Sequence, residues 1–181
     1  MRTIALAMLL SSFVAAADNP PDPRFNAEGQ LLRPDSYREW IYLSSGLGMS
    51  YGAITPQRDA PVFDNVFVHP AAYRAFVDTG KWPDKTMFVL EIRNSDSHAS
   101  INKDGHFQAG RVSVEAAVKD EKRFPEKWAY FGFPGDTAQA KQYPQTRCWG
   151  CHNANGAVEN TFVQFYPTLK PIAEQKGTLK K

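Results

Sequence analysis

Cys148-Trp149-Gly150-Cys151-His152 constrains this chain more tightly than any other stretch. The spacing reads Cys-x-x-Cys-His, the attachment signature of a c-type haem. Two thiols three positions apart can each form a thioether to one vinyl group of the macrocycle, and the next residue then offers an imidazole to one face of the iron. Any fold around the motif must hold all three side chains against one large flat cofactor. The chain has no other cysteine. Three other uses of the pattern are weighed against this one. A redox disulfide of the Cys-x-x-Cys kind normally opens a helix early in a βαβ pattern, whereas this motif lies near the C-terminus with no such pattern around it. A zinc site built on Cys148, Cys151 and His152 needs a distant fourth ligand. A structural disulfide closes a strained four-residue loop. The motif predicts one haem c, covalent through Cys148 and Cys151, with His152 as the iron ligand.

The N-terminus points to the same chemistry independently. Met1-Arg2 is a short positive start, Ile4 to Val14 is apolar apart from Ser11 and Ser12, and Ala15-Ala16-Ala17 fits a small-residue cleavage site. This predicts a secretory signal peptide over residues 1–17, a mature chain from Asp18, a single haem-binding domain over 18–181 and a periplasmic location. Covalent c-type haem is assembled outside the cytoplasm in bacteria, so export and the motif agree. No other apolar run approaches about 18 residues, so no membrane span is expected in the mature form. The net charge is +2, and +1 without Arg2, too balanced to argue for nucleic acid or an acidic membrane as partner.

Along the mature chain, Asp18 to Arg24 carries three prolines and reads as an irregular arm. Pro34 to Trp40 reads as a turn into a short helix capped by Asp35 or Ser36. Ile41 to Ser44 is a short extended run, and Gly46 to Gly52 a glycine-rich loop without the frame of a nucleotide fingerprint. Asn65 to Val68 is a strand closed by His69-Pro70. Pro70 to Asp78 is a helix ending at Thr79-Gly80. Thr86 to Arg93, Val112 to Val118 and Trp128 to Phe133 are rich in strand formers, with turn residues at Asn102 to Gly105. Gly135 to Tyr143 has little strand character and is expected to form a short helix. The expected fold class is α+β: mainly antiparallel sheet with a few flanking helices and the haem attached near the C-terminus.

In this order the pieces resemble the cytochrome P-460 family, which also contains the cytochromes c′-beta. The resemblance rests on Tyr37-Arg38-Glu39-Trp40; Val68-His69-Pro70 with Tyr73 and Thr79-Gly80; Val114 to Glu121 with Arg123-Phe124; Trp128-Ala129-Tyr130-Phe131; the Cys-x-x-Cys-His motif; and Phe162 to Pro167. It implies a sheet-rich homodimer holding one haem c with five-coordinate iron, His152 as proximal ligand and an open opposite face. It also implies an electron-transfer partner protein and a small nitrogen ligand such as nitric oxide or hydroxylamine. In the enzymes of the family a lysine is bonded to the macrocycle, whereas the c′-beta members lack it and bind nitric oxide in an apolar pocket. The matching position here is Leu90, which cannot make that bond. Lys85, at the strand's entry, and Lys103, in a turn, could reach the macrocycle only in another strand register and otherwise read as solvated surface.

On a strand, Thr86, Phe88, Leu90 and Ile92 share one face, so Phe88 and Leu90 are expected to wall the haem pocket. Glu115 matches a family position near the open face and is the candidate catalytic proton carrier, sharing a face with Arg111, Ser113 and Ala117. The competing reading of Glu115 is a surface ion pair with Arg111 or a lysine. His69 reads as a cap or surface residue and His98 and His106 as exposed. Any of these histidines, or Met49 or Met87, as a sixth iron ligand would close the iron. Three functions follow: a nitric oxide-binding cytochrome, a hydroxylamine or nitric oxide oxidoreductase, and a six-coordinate electron carrier. Leu90 favours the first over the second.

Overall fold

The computed structural model of the chain describes residues 20–51 and 58–180. The expected signal peptide lies outside the described residues, as does the end of the glycine-rich loop. Five strands form one antiparallel meander in the order β2 (Ile41–Leu47), β3 (Val62–Val68), β4 (Met87–Asp96), β5 (Phe107–Lys119) and β6 (Trp128–Pro134). Two short strands, β1 (Leu31–Leu32) and β7 (Gln139–Ala140), pair antiparallel beside it. Three α-helices, α1 (Pro70–Thr79), α2 (Gln145–Asn155) and α3 (Lys170–Gln175), complete the α+β fold.

Helix α1 follows from its ends. His69 stands at its N-cap, where Nδ1 accepts a hydrogen bond from the Ala71 amide at 3.2 Å, and Pro70 occupies the first turn without losing a needed donor. Gly80 ends it in the left-handed region at φ 71°, a conformation a Cβ would strain. The sheet is covered on both sides, which is why Trp128 to Phe133 reads as a continuous apolar run rather than an alternating one. One face carries Phe88, Trp128 and Tyr130 and packs against Phe76 of α1, Trp82, Tyr166 and Leu169. The other carries Met87, Val89, Val114, Ala116, Phe131 and Phe133 and packs against Leu31, Tyr37 and Phe124. Glu91 is buried on this second face, where the Tyr37 hydroxyl, the Arg38 guanidinium and Arg93 (3.1 Å) all donate to its carboxylate.

Three local expectations are corrected. Gly135 to Tyr143 forms no helix: its middle is β7, whose Ala140 lies opposite Leu31, and the Tyr143 amide donates to the Tyr130 carbonyl at 2.8 Å. Fully buried Leu31 and its neighbour need a backbone partner, and this segment supplies it despite weak strand propensity. Gly46 sits inside β2 rather than in a loop, because the strand runs on to Leu47. A Cβ at Gly46 would come within 2.3 Å of the Met49 sulfur, so the glycine makes room for that side chain. The helix at Tyr37–Glu39 is a single 3-10 turn with Ser36 at its cap position, and Ser36 makes no side-chain cap bond.

Candidate haem site

Helix α2 converts the sequence spacing into a face. Cys148, Cys151 and His152 stand at positions i, i+3 and i+4 of one helix, so their side chains line a single stripe. All three line a cavity of about 330 Å³ between α2 and the first face of the sheet. The cysteines are free, half-buried thiols. Burial, and then the Glu115 carboxylate, push the Cys148 thiol up to about 11. A redox disulfide motif needs the opposite, a thiol of lowered pKa. Among the described residues no three His, Cys, Asp or Glu side chains converge as a metal-holding group, so the zinc alternative has no ligand set.

His152 is oriented from below and gripped from both sides. Its Nδ1–H donates to the Asn160 carbonyl at 2.8 Å. Burial disfavours the imidazolium, and this hydrogen bond opposes it more weakly, so the ring's pKa lies below the ordinary histidine value. The neutral tautomer with its proton on Nδ1 leaves Nε2 as the free electron-pair donor, the arrangement a ligating imidazole needs. Tyr130 and Phe162 flank the ring with centroids at 4.3 and 4.5 Å.

The sheet wall is set by register. Val66 of β3 lies opposite Leu90 of β4, and Leu90 lies opposite Glu115 of β5, so the three stand in one cross-strand row. Phe88 and Ile92 flank Leu90 along β4 and line the same cavity. The structure therefore brings Phe88, Leu90, Glu115, Cys148, Cys151 and His152 to one cavity. No lysine lines it among the described residues. Lys85 is paired with Asp120 at 2.6 Å and borders a separate hollow beside Met87 and Trp40, while Lys103 is exposed in its turn. His98 and His106 are exposed. Met87 belongs to the second core, but Met49 lines the cavity, with the Tyr51 hydroxyl 3.7 Å from its sulfur.

Glu115 does not pair with Arg111. The β4–β5 register shifts after Ile92 opposite Ser113, so that Arg93 lies opposite Arg111 and Val112 is the extra residue. This bulge turns Arg111 to the other face, where it pairs with Asp136. Simple alternation along β5 fails at that residue. Burial raises the Glu115 pKa, Arg147 opposes the shift, and Asp64 adds to it.

Asp64 is a site residue that sequence reasoning missed. It lies on β3 opposite Ile92 and lines the cavity, and burial pushes its carboxyl up to about 6 against the pull of Arg58. The available signal was its place between Val62 and Val66 in a strand, on their face. Arg147 was also missed; its guanidinium stacks 4.0 Å over the Tyr143 ring. Tyr143 in turn lies across Gly132, where a Cβ would meet its hydroxyl at 1.6 Å. Tyr130 Oη and Asn160 Nδ2, both on the cavity wall, are buried close together without closing a hydrogen bond.

This donor set fits a haem c: two free thiols and a neutral imidazole on one helix stripe, an aromatic and aliphatic slot in front of them, and buried polar atoms still able to bond. The helix motif and the slot in front of it are thus suited to a haem protein. The family model for cytochrome P460 matches residues 34–163, and the chain belongs to that family. The family implies a haem cofactor, and its members are typically exported. No curated protein matches the chain. No helix among the described residues is long and apolar enough to cross a membrane.

Proposed function

We propose that this protein is an exported cytochrome with one haem c, five-coordinate iron and an open distal face that binds nitric oxide or a similar small nitrogen species. Cys148 and Cys151 carry the thioethers and His152 is the proximal ligand. The haem supplies a vacant iron coordination site for a small ligand. The chain's own residues do the rest. Asn160 holds the proton on His152 Nδ1, so that Nε2 stays a donor. Phe88, Leu90, Ile92 and Val66 form an apolar stretch of the cavity wall, which favours a neutral diatomic over a hydrated ion beside it.

The observation that carries this reading is the cavity lining, where leucine rather than lysine stands at position 90 and no lysine among the described residues reaches the wall. It supports a likeness to the c′-beta type over one to the lysine-modified enzymes. The test is the absorption spectrum of the pure reduced protein, with and without nitric oxide. A high-spin spectrum that changes on adding the gas is expected. A broad red-shifted band would mean a cross-linked haem and overturn the reading. The intact mass should equal residues 18–181 plus one haem, which also tests cleavage after Ala17.

Two other readings rest on specific residues. Oxidation of hydroxylamine or nitric oxide is favoured by Glu115 and Asp64, two carboxyls of raised pKa on one cavity wall that could take up protons. An electron carrier is favoured by Met49, whose thioether lines the cavity; a sharp low-spin spectrum lost in Met49→Ala would select it. The proposed homodimer is supported by β2, an edge strand that exposes Tyr42 and Leu47. Light scattering of the holoprotein tests it.

A further inference from the structure

Lys119 is a buried lysine that none of the haem chemistry above uses. It ends β5, and its ammonium donates to the Trp82 carbonyl at 2.7 Å and contacts the Glu159 carboxylate at 3.0 Å, with Glu121 at 3.4 Å. Its side chain is only 7% exposed. A lysine is held that deep only where its charge is paired and its donors are satisfied. Glu159 is itself unusual: its backbone lies at φ 51°, a left-handed conformation costly for a residue with a Cβ. Such a conformation persists where its surroundings over-determine it.

The surroundings here converge on one turn. The Thr161 amide donates to the Val158 carbonyl at 3.0 Å, and the Ala157 amide to the Thr161 carbonyl at 2.9 Å. The Trp82 indole donates to the Thr161 hydroxyl at 2.9 Å, which itself donates to the Val158 carbonyl. Gly156 lets the turn fold back on the end of α2: a Cβ there would lie 2.6 Å from the His152 carbonyl and 2.9 Å from that of Glu159. Between Glu159 and Thr161 stands Asn160, whose carbonyl accepts the His152 Nδ1–H. Trp82 therefore grips the assembly twice, once through Lys119 and once through Thr161, with Asn160 between the two grips.

We infer that Lys119 and Glu159 are positioning residues for His152: their ion pair fixes the 158–161 turn so that the Asn160 carbonyl meets Nδ1–H. This rests on His152 being the axial ligand. A firm acceptor at Nδ1 makes the imidazole a stronger donor at Nε2, and such outer partners tune both metal–ligand strength and redox potential. The Lys119–Glu159 pair thus acts on the iron's proximal side from β5, through one carbonyl.

The test uses the haem-loaded protein and resonance Raman of its ferrous form, together with its reduction potential. Lys119→Met and Glu159→Gln should each move the iron–histidine stretch to lower frequency and the potential to more positive values. Lys119→Arg should restore both. The double variant should shift them no further than one single change, as coupled residues do. Glu159→Gly keeps the positive φ without strain while removing the carboxylate, so it should shift them as Glu159→Gln does. Glu91→Gln, on the other sheet face, should lower the melting temperature and leave both readouts unchanged. Variants of Lys119 and Glu159 that lower stability and move neither readout overturn the inference; if Lys119→Met does not fold, the two Glu159 variants decide. A wild-type protein without an iron–histidine band fails earlier, at the axial role of His152.

Discussion

Two carboxylates on opposite sheet faces, buried Glu91 and half-buried Asp64, respond to pH with opposite sign. Burial alone would raise Glu91, but the Tyr37 hydroxyl and the Arg93 and Arg38 guanidinia outweigh it and hold the carboxyl below the ordinary range. Its stabilisation is present above the unfolded-state pKa and is lost as pH falls through the folded value. Glu91→Gln, which keeps the shape and removes the charge, should cost about 2 kcal/mol at neutral pH. In urea titrations that gap should close in acid. Asp64 behaves the other way. Its folded pKa of about 6 lies above the ordinary carboxylate value, so stability falls as pH rises from about 4 to about 6. Discounted for its partial exposure, the cost at pH 8 is on the order of 2 kcal/mol. Asp64→Asn should therefore raise the denaturation midpoint at pH 8 and leave it nearly unchanged at pH 4. A midpoint that falls at both values would mean that Arg58 stabilises the carboxylate more than burial disfavours it.

The elements that position the site depend on their ends. Helix α1 joins β3 to β4 and so sets where Phe88 and Leu90 enter the cavity wall. Its stop at Gly80 has a positive φ and no room: a Cβ there would meet the Lys176 and Thr178 side chains at 2.6 and 2.9 Å. Gly80→Ala should cost roughly 1–2 kcal/mol, from the left-handed backbone and the displaced C-terminal segment together. Thermal denaturation checks it, and a neutral result would mean that Lys176 moves aside freely. Much at this scale was legible in the sequence. Pro70 and Thr79-Gly80 marked α1 within one residue, and the runs from Thr86, Val112 and Trp128 marked β4, β5 and β6. The Gly135 to Tyr143 segment was not legible, because its strand exists only through its partner β1. Nor was the face of Arg111, because a bulge of one residue leaves no compositional mark and still inverts everything beyond it.

Across the whole molecule the two cores differ in what completes them. The second is closed by the chain alone, through Leu31, Tyr37 and Phe124. The first borders the 330 Å³ cavity, whose apolar wall of Val66, Phe88, Leu90 and Ile92 the chain alone leaves uncovered. A Cys148→Ser/Cys151→Ser chain without covalent haem should therefore melt well below the holoprotein. In hydrogen exchange its losses should concentrate in α2 and around Tyr166, with the Val114, Ala116 and Phe133 backbone still protected. Uniform loss of protection would show instead that the two cores unfold as one unit.

The sequence by itself determined the chemistry that spacing can encode. Cys148, Cys151 and His152 share a helix stripe because 3.6 residues per turn put them there, and Phe88, Leu90 and Ile92 share a strand face because side chains alternate. Only the tertiary structure decided what meets them. Asp64 reaches Glu115's cavity through strand register, Arg111 leaves it through a bulge, and the Asn160 carbonyl reaches His152 through a turn that Lys119 holds from another strand. Those relations link residues far apart in the chain, and each depends on how the strands and turns are set against one another rather than on local spacing.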